Sequence, residues 1–203
     1  MKPIETAAAY DQITERWEHS DFDRQNGISA HRRALTFSSQ RGRALDVGCG
    51  CSGRFIDLFL TEGFEPEGLD LSKVMIEKAS KRHPEVLFHW ADICAWKPEK
   101  SYDFISAWDC LWHLPLDQHE VVLTKLIDAL TPEGILIFTF GGVEQAGEHT
   151  NCVMGPEVYY SSLGLSGFVR LMLGLDCQLR HLEFDQYPEM HTYLIVQKNK
   201  GLR

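Results

Sequence analysis

The sequence predicts an α/β fold, a doubly wound and mostly parallel sheet of seven strands that ends in an antiparallel hairpin and is preceded by a helical cap. Two observations carry this expectation. Apolar runs of strand length alternate with helically spaced segments between residues 43 and 140, and such alternation implies parallel strands joined by helices. The last two strand candidates, 179–187 and 191–197, are joined by only Pro188-Glu189-Met190. A tight turn permits an antiparallel pair, whereas a parallel pair needs a long crossover.

In chain order, residues 3–18 carry alanines and amphipathic spacing (Ile4, Ala8, Ile13, Trp17), and residues 28–39 form a second helix candidate ending near Arg41-Gly42. Strands follow at 43–47, 64–69, 86–91, 103–108 and 134–140, with helices at 53–62, 72–82 and 117–130. Ser72 is placed to cap its helix, and Thr131-Pro132-Glu133-Gly134 makes the turn before the fifth strand. Residues 91–101, which include Pro98, leave no room for a crossover helix. A polar stretch, 143–156, precedes a helix candidate at 157–174 and the closing strands. No repeat or linker divides the 203 residues, so one domain is expected.

The net charge of −9 has no compensating basic block, the longest positive cluster being the short tail from Lys198 to Arg203. A nucleic-acid or anionic membrane partner is therefore disfavoured. Residues 1–10 lack the apolar core of a signal peptide, and no apolar run approaches the roughly 20 residues of a membrane span. A cytoplasmic protein, monomer or homodimer, is expected. Six scattered cysteines without a Cys-x-x-Cys pair suit a reducing compartment, and neither disulfides nor a metal site is expected.

The chemistry concentrates where the first strand empties into glycines: Asp46-Val47-Gly48-Cys49-Gly50-Cys51-Ser52-Gly53-Arg54. Glycines allow positive φ and close approach of a ligand, and a helix start presents free N–H groups. Gly48-x-Gly50-x-x-Gly53 with Asp70 as ribose partner fits a dinucleotide fingerprint, which taken alone suggests NAD. Asp46 argues otherwise, because a carboxylate at that strand tip repels a pyrophosphate and attracts an ammonium group. Further acidic residues close the third and fourth strands, at Asp92 and Asp109. Ligands of open α/β sheets bind beyond the carboxyl ends of the strands, so Asp46, Asp70, Asp92 and Asp109 are expected to face one crevice.

This series of strand ends, with Thr131–Phe138 after the next helix, resembles the class I S-adenosylmethionine-dependent methyltransferases of small-molecule type, over residues 42–198. The resemblance implies a Rossmann-like fold with strand three at an edge and strand four beyond strands two and one. Residues 91–101 would then cross a diagonal of about 22 Å, within the roughly 33 Å that ten extended residues reach. It divides the domain into an N-terminal helical cap (1–41), a cofactor-binding core (42–140), a substrate-side insertion and helix (141–176) and a terminal hairpin (177–203). It also implies the cofactor, S-adenosyl-L-methionine, with S-adenosyl-L-homocysteine as product and a small-molecule N, O or S nucleophile as acceptor.

Residue by residue, the resemblance sets Asp46 beside the methionyl ammonium, Asp70 on the ribose hydroxyls and Asp92 on the adenine amino group. Gly48, Cys49, Gly50 and Gly53 form the loop, Leu71 and Ile93 the adenine walls, and Trp108 and Asp109 flank the reactive end. His113 is the candidate base. Tyr10, Trp17, Glu148, His149, Tyr159 and Tyr160 lie in segments that vary within the family and are substrate candidates. The family loop is Asp-x-Gly-x-Gly-x-Gly, and here Ser52 adds one residue before Gly53. Two rivals remain: an NAD-dependent oxidoreductase, which leaves Asp46 and Asp92 without a role and lacks a Tyr-x-x-x-Lys pair, and a catalytically inactive cofactor-binding protein.

Overall fold

A computed structural model describes residues 1–201; the last two residues of the basic tail, 202 and 203, lie outside the described residues. The central strand β1 (Arg43–Val47) pairs in parallel with β2 (Glu65–Asp70) on one side and β4 (Tyr102–Ala107) on the other. Next to β2 lies β3 (Leu87–Trp90), a half-exposed edge, and next to β4 lies β5 (Leu130–Gly141). Antiparallel β9 (His191–Lys198) then pairs β5, and β8 (Cys177–Glu183) closes the sheet. The order is β3-β2-β1-β4-β5-β9-β8. Residues 91–101 cross from β3 to β4 without a helix.

Side chains alternate between the faces of a strand, so the continuous apolar runs divide into two cores. Ile135, Ile137, Tyr193 and Ile195 pack with Phe55 and Phe59 of α3 (Arg54–Thr61) and Leu35 of α2 (Ile28–Leu35). Leu136, Phe138, Leu194 and Val196 pack with Val122, Leu123 and Leu126 of α5 (His119–Ala129) and Phe168 of α6 (Leu165–Gly174). Helix α4 (Lys73–Arg82) is capped by Ser72, whose Oγ accepts from Met75 N at 3.0 Å.

Several boundaries differ from the sequence expectation. The first helix, α1 (Pro3–Asp11), gives way to a 3₁₀ turn at Thr14–Trp17, because the Thr14 hydroxyl donates to the Asp11 carbonyl at 2.8 Å. Likewise α2 ends at Leu35, where Thr36 Oγ1 and Arg41 Nη2 occupy the carbonyls of Arg33 and Leu35. The larger correction concerns 157–174. Its first part is a strand, β7 (Val158–Ser162), paired with β6 (Gly147–Asn151), and α6 begins only after Gly164. Val158-Tyr159-Tyr160 suits a pleated surface, and Gly164 at φ 72 breaks the run, since a Cβ there would lie 2.9 Å from Glu144 O. Strand β5 starts four residues early across a register shift, and β8 ends at Glu183, leaving a longer connection to β9.

Candidate active site

The carboxyl ends of β1, β2, β3 and β4 open into one cleft of about 470 Å³, roofed by α1, the segment that follows it and part of β7. Gly48 (φ 68) and Gly50 (φ 55) form its floor. The loop is tied across to β2, with Gly48 N and Cys49 N donating to Leu69 O at 2.7 and 3.1 Å. The Asp70 carboxylate accepts from Gly50 N at 2.9 Å and Ser72 N at 2.8 Å, one bond on each oxygen. A carboxylate has about four acceptor sites, so two remain for a ligand diol. Leu71, Met75, Asp92 and Ile93 continue the wall, and Asp92 is oriented by Cys94 N at 2.8 Å.

At the other end of the cleft stand Trp108, Asp109, Trp112 and His113, with Tyr10, Trp17 and Tyr160 from the cover. Asp109 takes a left-handed conformation, φ 57, which an L residue adopts at a cost, and its N–H is held by Thr139 Oγ1 at 2.7 Å. His191, the first residue of β9, bridges two carboxylates: Nε2 donates to Asp109 Oδ1 at 2.9 Å and Nδ1 to Asp185 Oδ1 at 2.5 Å. Burial opposes the charge on this ring, but the two carboxylates outweigh it and raise the pKa. His113 is arranged differently. Trp112 Nε1 donates to its Nε2 at 3.0 Å, so that nitrogen is unprotonated, and the Tyr10 hydroxyl donates to it at 2.7 Å. Nδ1–H is left for the Tyr159 carbonyl, at 2.7 Å, and burial pushes the imidazole pKa down to about 4.

This chain matches the Methyltransferase domain family over residues 18–148. It belongs to the class I S-adenosylmethionine-dependent methyltransferases. Over 100 residues it is 37% identical to trans-aconitate 2-methyltransferase of Methylobacterium radiotolerans, a match covering 46% of this chain and 35% of that protein. Over 106 residues it is 31% identical to carboxy-S-adenosyl-L-methionine synthase of Nitratiruptor, covering 49% and 44%. The chain thus spans about a third to under a half of the relatives' length. Among solved structures, magnesium protoporphyrin IX methyltransferase of Synechocystis superposes with a TM-score of 0.73 over 98% of both chains at 15% identity, a likeness of fold.

Within this methyltransferase fold most of the sequence candidates meet in the cleft, namely Gly48, Cys49, Gly50, Asp70, Leu71, Asp92, Ile93, Trp108, Asp109, His113, Tyr10, Trp17 and Tyr160. Five do not line it. Asp46, 2% exposed, lies on the α2/α3 side of the sheet, where it is the register partner of Ser106 on β4. Period-two alternation puts it on the face of Ala44, opposite Leu45 and Val47, and burial pushes its pKa up to about 7. Gly53 (φ 69) starts α3, and a Cβ there would stand 2.7 Å from Arg82 and His83. Tyr159 turns its hydroxyl to Glu148, at 2.5 Å, and contributes only its carbonyl. His149 and Glu148 lie on exposed β6, the imidazole stacking on Tyr160 at 5.4 Å.

The extra residue Ser52 is buried, and the loop carbonyls beside it are held by donors from outside the loop, Arg24 Nη1 to Ser52 O at 2.6 Å and Arg82 Nε to Cys51 O at 3.3 Å. The sequence reading missed His191, Gln186 and Arg54, all of which line the cleft. A histidine at the start of a strand gives no local signal, and only the register of β9 against β5 brings it to Asp109.

Proposed function

We propose that this protein transfers the methyl group of S-adenosylmethionine to a small-molecule N, O or S nucleophile and releases S-adenosylhomocysteine. The observation that carries the reading is the Asp70 carboxylate, held between Gly50 N and Ser72 N with two acceptor sites open beside an apolar slot of Leu71, Met75 and Ile93. That is the acceptor and apolar wall that a ribose diol and an adenine ring require, and Asp92 at the end of the slot suits the adenine amino group. Bound there, the sulfonium supplies an activated methyl and an excellent leaving group. The chain's own residues have to orient and exclude water, since alignment provides most of the rate in such a displacement. Relatives named for a small organic acid support a small acceptor.

In this reading His113 positions rather than carries the acceptor chemistry. Both of its nitrogens are engaged, so its influence on an acceptor runs through the Tyr10 hydroxyl and the placement of α1. The cap and the β6–β7 hairpin are accordingly one cover. Hydrogen exchange in residues 5–20 and 143–160 is expected to slow on adding S-adenosylhomocysteine, and to slow more than in β8 and β9. Equal protection with and without ligand would mean a preformed cover.

Calorimetry tests the cofactor. Micromolar binding of S-adenosylhomocysteine and none of NADH is expected, and Asp70→Ala should weaken the former by about 2 kcal/mol, roughly thirtyfold, by removing charge-assisted hydrogen bonds. Binding of NADH in its place sinks the assignment and restores the oxidoreductase reading. Steady turnover with an added acceptor separates an enzyme from an inactive cofactor-binding protein of the same fold.

A further inference from the structure

Arg54 is the only Lys or Arg among the described residues lining the cleft, and its side chain is 9% exposed. Burial of a guanidinium is costly unless its donors are satisfied. Here Nε is closed off from solvent with no partner, and the nearest carboxylate oxygen, Asp109 Oδ2, stands 3.6 Å from Nη2, beyond hydrogen-bond range. Asp109 does not depend on this contact, because His191 already donates to its other oxygen. The arginine is nonetheless held firmly. Its Cζ lies 4.5 Å from the Phe55 ring centroid and 5.1 Å from that of Phe22, which hold the planar group in place. Asp46, buried on the same side of the sheet, compensates part of its charge without bonding it.

We propose that Arg54 is a carboxylate-binding residue of this cleft, its fixed guanidinium edge donating two parallel hydrogen bonds to the carboxylate of a bound small molecule. The planar fork matches a carboxylate, and a lone ammonium would not. The other ionisable side chains of the lining are the carboxylates of Asp70, Asp92 and Asp109, the phenols of Tyr10 and Tyr160 and the thiols of Cys49 and Cys110, none of which can be cationic, and the imidazoles of His113 and His191. His191 spends both N–H groups on Asp109 and Asp185, and His113 spends its one on Tyr159. An acidic ligand group therefore has Arg54 as its cationic partner. The proposal rests on the cleft being the methyl-transfer site. Two carboxylates can then reach it, the amino-acid end of the cofactor or an acid group on the acceptor.

The test uses the full chain and separates these sources. The Arg54 Nε–Hε resonance, assigned by its loss in Arg54→Met, is followed while adding S-adenosylhomocysteine, 5′-methylthioadenosine, which lacks the amino-acid end, and a panel of acetate, succinate and trans-aconitate on S-adenosylhomocysteine-loaded protein. A shift with S-adenosylhomocysteine but not with 5′-methylthioadenosine, together with about thirtyfold or greater selective loss of the former's affinity in Arg54→Met and Arg54→Lys, assigns the cofactor's carboxylate. A shift on adding a panel acid, with cofactor affinity unchanged in the variants, assigns the acceptor's. Equal response to the two nucleosides and none to the acids overturns the proposal. The wild-type resonance answers the question even if the variants fold poorly. Failure of the protein to bind any adenosyl ligand would instead count against the cofactor assignment, and the response to the acids alone would then decide the role of Arg54.

Discussion

Gly48→Ala is expected to destabilise the protein by about 3–5 kcal/mol, while the same change at Gly50 costs about 1–2 kcal/mol. Both glycines have positive φ, 68 and 55, so both substitutions carry backbone strain. They differ in what a methyl group meets. At Gly48 the new Cβ would stand 2.3 Å from Cys110 Cβ and 2.9 Å from its sulfur, whereas at Gly50 nothing lies within 4 Å. Cys110 cannot swing away, because the clash is with its Cβ and its thiol donates to Val47 O at 3.2 Å. Urea unfolding of the two variants checks the ordering. Cys110→Gly, placed in the Gly48→Ala background and corrected for its own effect, should return the steric part and leave the strain. Equal losses at the two glycines would show that strain alone sets the cost and that the loop can shift away from β4.

The second large effect is electrostatic and follows from Asp46. Burial holds its acid form, so the folded state keeps a proton that the unfolded chain has released, from an ordinary value of 3.8 up to about 7. A carboxyl raised on folding makes stability fall as pH climbs through that window, by about 4 kcal/mol at most. Asp46→Asn stays neutral at every pH and keeps the size of the side chain. It should match the wild type near pH 4 and exceed it increasingly toward pH 8, as denaturant midpoints at several pH values would reveal. Parallel curves would refute the argument. His191 acts in the same direction over a later interval. Its raised pKa gives stability that is full below about 6.5 and is lost as pH passes its folded value, and His191→Gln should remove that second decline alone.

The parallel strands were legible because strands buried on both faces read as unbroken apolar runs, and four of them end in a carboxylate at the same edge of the sheet. The alternation inside one run also contained the answer for Asp46. Read at period two, it falls with Ala44 on the α2/α3 face and away from the cleft. Other features had no such signal. The β6–β7 hairpin is short and largely exposed along Gly147-Glu148-His149-Thr150-Asn151, so no apolar pattern announces it. Tyr159 contributes through its backbone carbonyl, to which side-chain identity is blind. Arg54 and His191 are separated by most of the chain and meet only around Asp109, through tertiary register that local sequence does not encode.

The place of β9 in the sheet also bears on how the chain is made. Strand β5 takes β9 as its outer neighbour, yet about fifty residues separate the end of β5 from the start of β9. At about 5–20 residues per second, the ribosome needs roughly 3–10 s to supply them. Through that interval a nascent chain holding Ile135-Leu136-Ile137-Phe138 displays an unpaired apolar edge, the kind of strand that recruits other chains. Synthesis therefore passes through a window in which slow translation of residues 142–190 favours aggregation, and a chaperone that shields apolar segments has its natural point of engagement there.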